Sequence, residues 1–205
     1  MLYNKILAED ETEVKKEEDK KEESSSAKQL EKILIEQRKI FFWGVVEEKN
    51  CKEVVAKLLL LDSLKPGEEI KLYINSPGGS VTDGMVVYDT MQMISSPVST
   101  ICMGMAASMG AILLSGGTKG KRYIYPSGEV MIHQPSLGGN IQGVSADLEI
   151  HAEQIRKAKL LGAKLLADNC GKSVEQIMKD FDRDYWLNAT EAIAYGIVDE
   201  VMTKL

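Results

Sequence analysis

The chain has 205 residues, 44% of them hydrophobic, with 25 Lys and Arg against 31 Asp and Glu, for a formal net charge of −6. That is length enough for one domain that buries its own core without a disulfide or metal staple. It is too acidic for a general nucleic-acid or anionic-membrane binder, which needs clustered Lys and Arg. The three cysteines, Cys51, Cys102 and Cys170, are odd in number, far apart and without C-x-x-C spacing, which suggests neither a disulfide framework nor a zinc ribbon and fits a reducing cytoplasm best.

In chain order, the N-terminus turns acidic at Glu9 before any apolar stretch long enough for a signal peptide. Residues 9–23 hold nine acids and four lysines, so they carry five of the six net negative charges, and Ser24-Ser25-Ser26 follows. Such a segment buries too little apolar surface to offset the entropy of ordering it, so residues 1–29 are expected to form a charged, disordered tail and 30–205 the globular domain. Strands are predicted at Ile40–Val46 and Ile70–Asn75, with a helix over Lys52–Leu61 between them. Asn75-Ser-Pro-Gly-Gly-Ser80 follows the second strand. Thr82 is expected to cap a helix whose apolar positions Val87, Met91 and Ile94 share a face, ending before Ser96-Pro97.

A third strand is read at Val98–Met103 and a helix at Ala106–Leu114, stopped by Gly116-Gly117. The apolar run Ile101–Leu114 is too short, with Ser108 and two glycines inside it, to span a membrane. Glu129–His133 is a fourth strand. From Val144 to Asn169 the sequence has no Pro and one Gly, and as a helix it would run roughly 40 Å at ~1.5 Å per residue. That is long for so small a domain and hints at assembly. Ser173-Val-Glu-Gln176 has capping-box spacing, and Thr190–Gly196 reads as a last short helix. Alternating strands and helices give an α/β domain with crossover connections.

Four features could carry chemistry. His133 lies where a strand gives way to a loop, a usual station for a general base, though a satisfied core histidine is equally consistent. His151 reads as a solvated surface histidine, and two distant histidines without nearby cysteine make no metal site. Ser108, among small neighbours after a strand, suits a nucleophile on a tight turn or, as simply, a small-residue helix packed on a sheet. The paired Gly78 and Gly79 suit an oxyanion hole, a peptide-binding edge or a mere turn; the phosphate-loop spacings are missing. Asp180-Phe-Asp-Arg-Asp184 reads as a charged helix end. Ala-x-Ser-x-Gly is close to the nucleophile elbow of α/β-hydrolases, but those run Ser, acid, His, and the only carboxylate between Ser108 and His133 is Glu129, on the same strand as the histidine.

The joint presence of Tyr73-Ile-Asn-Ser-Pro-Gly-Gly79, Thr100-Ile-Cys-Met-Gly-Met-Ala-Ala-Ser-Met-Gly-Ala111, Met131-Ile-His-Gln-Pro135 and Arg183-Asp-Tyr-Trp-Leu-Asn-Ala189 resembles, in order and spacing, the blocks of the Clp protease proteolytic subunit family. The resemblance runs from about Ile33 to Met202. It implies a crotonase-like α/β fold and a serine peptidase with Ser108 as nucleophile, His133 as general base and then acid, and Asp184 orienting the imidazole. It further implies an oxyanion hole from the N–H groups of Gly79 and Met109, and peptide binding along Gly78, Ser80, Val81, Gln134 and Pro135. A strand and helix handle at about 138–165 would interlock two stacked seven-membered rings, of this chain alone or mixed with a paralogue. An AAA+ unfoldase would feed unfolded polypeptide and use the ATP, leaving this chain without cofactor or metal. Two other readings are a ring subunit with a mainly structural or gating role and a crotonase-like acyl-CoA enzyme; neither requires this serine and histidine.

Overall fold

The computed structural model describes residues 26, 28–136 and 143–204. The described residues fall into two compact units, one ending at Arg38 and one beginning at Lys39. In the first, residues 28–36 form helix α1; most of the expected tail, and residues 138–142 of the expected handle, lie outside the described residues.

The second unit alternates strands and helices as the periodicities predict. Strand β1 (Lys39–Trp43), helix α2 (Glu48–Leu64), β2 (Ile70–Ser76), α3 (Val81–Met93) and β3 (Val98–Ala107) come first. Helix α4 (Met109–Ser115), β4 (Arg122–Ile124), β5 (Glu129–Ile132), α5 (Ser145–Cys170), α6 (Val174–Asp180), β6 (Tyr185–Asn188), α7 (Ala189–Tyr195) and β7 (Glu200–Val201) complete it. One mixed sheet runs in the order β1-β2-β3-β4-β7, with β5 paired to β3 and β6 to β5. Every pairing is parallel except β5 with β6. The central strands are buried on both faces, as parallel sheets covered by helices require; Ile70, Leu72, Ile74 and Ile101 are fully buried.

Several boundaries differ from the expectations, each for a local reason. The first strand stops at Trp43 rather than Val46 because Gly44 turns at φ +92°. Helix α2 gains a turn at each end, burying Cys51, Val54, Leu58 and Leu61 on one stripe and halting at Lys65, the residue before Pro66, where the helical conformation is disfavoured. Helix α3 is capped by Ser80, whose hydroxyl accepts the Asp83 N–H at 3.2 Å, not by Thr82. Only half of the Ser173 capping box forms: Ser173 Oγ accepts from Gln176 N–H, while the Gln176 side chain donates to Asp180. The complete capping box is at Asn188 and Glu191, opening α7.

The long helix is 26 residues and ends on Gly171 in the left-handed conformation. Its two halves differ. Residues 145–154 are exposed throughout, including Leu148 and Ile150, whereas Ala163, Leu166 and Ala167 are buried. Among the described residues no helix is long and apolar enough to cross a membrane.

Candidate active site

Sheet pairing assembles the site. Strand β3 changes partner midway, pairing Thr100–Cys102 with β4 and Met105–Ala107 with β5. Between the two halves Gly104 sits at φ +80°, and the Asn75 side chain accepts the Met105 N–H at 3.3 Å. Ala106 and Ala107 therefore belong to the strand and not to a helix, although alanine favours helix: parallel pairing with Val130 and Met131 outweighs a propensity of a few tenths of a kcal/mol per residue. The helix begins one residue after Ser108.

Ser108 occupies the turn between β3 and α4 at φ +54° and ψ −119°. For a residue with a Cβ this backbone is strained by about 1–3 kcal/mol and persists only where its surroundings impose it. Here the Ser108 N–H donates to Met131 O at 2.8 Å, and the Ser108 carbonyl accepts from Ala111 and Ile112. The Ser-Pro-Gly-Gly loop closes over the other side. A Cβ on Gly78, at φ +91°, would stand 2.6 Å from Ser108 Cβ, and one on Gly79 would stand 2.3 Å from Val46 O. Only glycine fits either place. Val46 donates to Gly78 O and accepts from Ser80 N–H, each at 2.8 Å, so the extended alternation turns the Gly79 N–H to the opposite side.

His133 is the first residue past β5, and Asp184 the last before β6. The antiparallel register joins Ile132 to Tyr185, so positions 133 and 184 face each other one step beyond the ladder. His133 Nδ1 is 2.9 Å from Asp184 Oδ1 and its Nε2 is 2.9 Å from Ser108 Oγ. With the imidazole proton on Nδ1, donated to the carboxylate oxygen, Nε2 is left to accept the Ser108 hydroxyl. Asp182 lies elsewhere, beside Gln134 and Arg183. The segment from Asp180 to Asp184 is thus a helix end only at Asp180; beyond it the chain turns into β6.

Val81 and Pro135 line an apolar pocket next to Ser108 with Met85, Ile112, Leu161, Gly162 and Phe181. Sequence reasoning did not pick out the last five, which come from separate elements. One signal was visible: a lone glycine inside a helical pattern has a packing reason, and Gly162 leaves the α5 wall of the pocket open. Ser80 is used as a cap, and the Gln134 side chain is hydrogen-bonded to Asp182 and Lys159. His151 is exposed on the outer half of α5.

The three cysteines are held inert. Burial pushes the Cys51 thiol up to about 11 and the Cys102 thiol up to about 12. Burial also raises Cys170 to about 11, and all three cysteines are free. Thiols so poorly ionised are weak nucleophiles near neutrality. Among the described residues no three His, Cys, Asp or Glu side chains gather in a group that could hold a metal ion. Compared with known families, the chain matches the model for Clp protease over residues 20–205.

Proposed function

This chain belongs to the Clp protease family and is a peptidase of that type, and on that premise we propose that it is the proteolytic subunit of an ATP-dependent Clp-type protease whose serine nucleophile is Ser108. The observation that carries the reading is the hydrogen-bonded relay from Asp184 through His133 to Ser108, with both links at 2.9 Å. Triads are recognised by such geometry rather than by chain order.

In this reading Ser108 Oγ attacks the scissile carbonyl while His133 Nε2 takes the hydroxyl proton. Asp184 accepts from Nδ1–H and stabilises the imidazolium that forms. The carbonyl oxygen gains its negative charge facing the N–H groups of Gly79 and Met109. The second of these opens α4, where the first-turn N–H groups have no partner within the helix. Collapse breaks the C–N bond, and the imidazolium proton leaves with the amine. Water, deprotonated by His133, then attacks the acyl-serine and releases the acid, restoring Ser108. Proton transfer among these side chains completes the cycle, so no metal or cofactor is assigned to this chain, and ATP is consumed by the partner.

The substrate would run as an extended strand beside Gly78, Ser80 and Val81 on one side and Gln134 and Pro135 on the other, with an apolar side chain in the pocket that Phe181 helps to line. Assembly into two stacked seven-membered rings, of this chain or mixed with a paralogue, is supported by the exposed outer half of α5, which carries Leu148 and Ile150 into solvent in the single chain. A soluble AAA+ unfoldase is the proposed source of unfolded polypeptide, and three unpaired cysteines suit a reducing, cytoplasmic setting.

Ser108→Ala tests this. It should lower cleavage of a short fluorogenic peptide at least about 10³-fold and leave the native mass by light scattering unchanged. Cleavage at the wild-type rate would overturn the serine-peptidase reading.

A further inference from the structure

The two chain segments that carry His133 and Asp184 meet just past the last rung of the β5–β6 ladder, where strand ends ordinarily fray. A second set of contacts closes this gap. The Gln134 N–H donates to Phe181 O at 2.6 Å. The Gln134 side-chain amide donates to Asp182 O at 2.7 Å and to Asp182 Oδ1 at 3.1 Å. Its remaining oxygen accepts from Lys159 Nζ at 2.8 Å, and the same ammonium lies 3.9 Å from Asp182 Oδ1. Lys159 stands on α5, one turn before the buried Ala163, and its side chain is only 23% exposed.

We propose that Lys159 is a positioning residue for the reaction: from α5 it fastens Gln134, next to the base, to Asp182, two residues before the orienting carboxylate, and so sets the His133–Asp184 hydrogen bond. The inference rests on the serine-peptidase reading above. The physical ground is that an ammonium hydrogen bond is about twice as strong as a neutral one. Here it is anchored in a packed helix, whereas the residues it steadies lie on loop, Asp182 exposed and Gln134 half-buried. Gln134 joins the two segments by bonds to two backbone carbonyls and to the Asp182 carboxylate; Lys159 adds a cation and a fixed third point. The Lys159 ammonium also lies 5.8 Å from the centre of the Phe181 ring, which lines the apolar pocket, so a role in the pocket wall must be separable from a role in the relay.

The test uses the full-length assembled protein and a short fluorogenic peptide. Lys159→Met keeps the stem and removes the charge; kcat should fall roughly 10- to 100-fold, the cost of a small misplacement of reacting groups, with KM within twofold of wild type. Lys159→Arg should recover most of the loss. With Asp184 already replaced by Asn, Lys159→Met should slow the labelling of Ser108 by a fluorophosphonate less than twofold, since the contact through which it acts is gone. Gln134→Met cuts the same bridge at its middle and should lower kcat alike, its KM not being diagnostic because Gln134 also flanks the peptide, so the inference does not depend on one variant folding. An unchanged kcat, a rise in KM alone, or a full additional loss in the Asp184→Asn background would each overturn it. Ser108→Ala reports separately on the reading beneath: if that variant is inactive while Lys159→Met is unaffected, the relay stands and the positioning role falls.

Discussion

Two carboxylates in this molecule each hold a nitrogen side chain, and they are built in opposite ways. Asp199 grips Arg122 on strand β4. One oxygen accepts from the Arg122 backbone N–H and Nε at 2.9 Å each, the other from Nη2. Arg122 Nη1 then donates to Asn169 O and Gly196 O, the C-terminal ends of α5 and α7. The side chains are 4% and 21% exposed, and the guanidinium is nearly saturated with partners. Asp184 instead gives one oxygen to His133, and the two side chains are 60% and 28% exposed. A saturated, buried pair can only hold; a half-open pair leaves its imidazole free to pass a proton and leaves room for substrate. The cost of openness is that neighbours such as Gln134, Asp182 and Lys159 must supply the restraint that burial supplies around Arg122.

Exchanging the two roles is the way to break this contrast. The largest expected effect is on chemistry. Asp184→Asn should lower kcat for peptide cleavage by up to about 10⁴-fold, because the amide favours the wrong imidazole tautomer, while thermal stability moves by no more than about 0.5 kcal/mol, as for most exposed positions. Arg122→Met should do the reverse. Leaving Asp199 with only the backbone N–H of residue 122, and two carbonyls without the guanidinium, should destabilise the domain by about 3–5 kcal/mol in urea unfolding, with kcat per folded molecule retained. A large stability loss in the first variant, or a purely catalytic loss in the second, would erase the distinction.

The smallest effect sharpens the comparison through pH. Burial by itself would raise the Asp199 carboxyl, but the Arg122 hydrogen bonds and charge outweigh it and hold it below the ordinary carboxylate value. A carboxyl depressed in the folded state contributes stability that is present above its unfolded pKa, about 3.9, and is lost as pH falls through the folded value. Stability measured from pH 5 downward should therefore fall less steeply in Arg122→Met than in wild type. Equal slopes would mean that the pair is not the acid-sensitive linkage.

The parts of the fold that were legible in the sequence were those governed by short-range rules. The central strands and the long helices follow from period-two and helical apolar patterning, and α5 falls within one residue at each end of the segment expected for it. The short strands β4, β6 and β7 were not legible. Two to four residues carry no periodicity, and Arg122-Tyr-Ile or Tyr185-Trp-Leu becomes strand only because a neighbouring strand offers its free edge. Ala106 and Ala107 show the same override in the other direction. In the site, Ser108 and His133 could be singled out from their local settings, but each kept a bland alternative. Asp184 emerged from the resemblance to a family rather than from its acidic surroundings.

By itself, the amino-acid sequence determined the alternation of elements, the glycine pair that allows a close loop at residues 78 and 79, and the candidate nucleophile and base with their order along the chain. These depend on local backbone freedom, side-chain period and residue chemistry. Only the tertiary structure decided that Ser108 stands on a strained turn after a strand, that Asp184 comes within 2.9 Å of the imidazole, and that Lys159 reaches into the same cluster. The first two depend on the register of strands far apart in sequence and the third on how α5 packs, and both are set by the packing of the whole sheet and its helices.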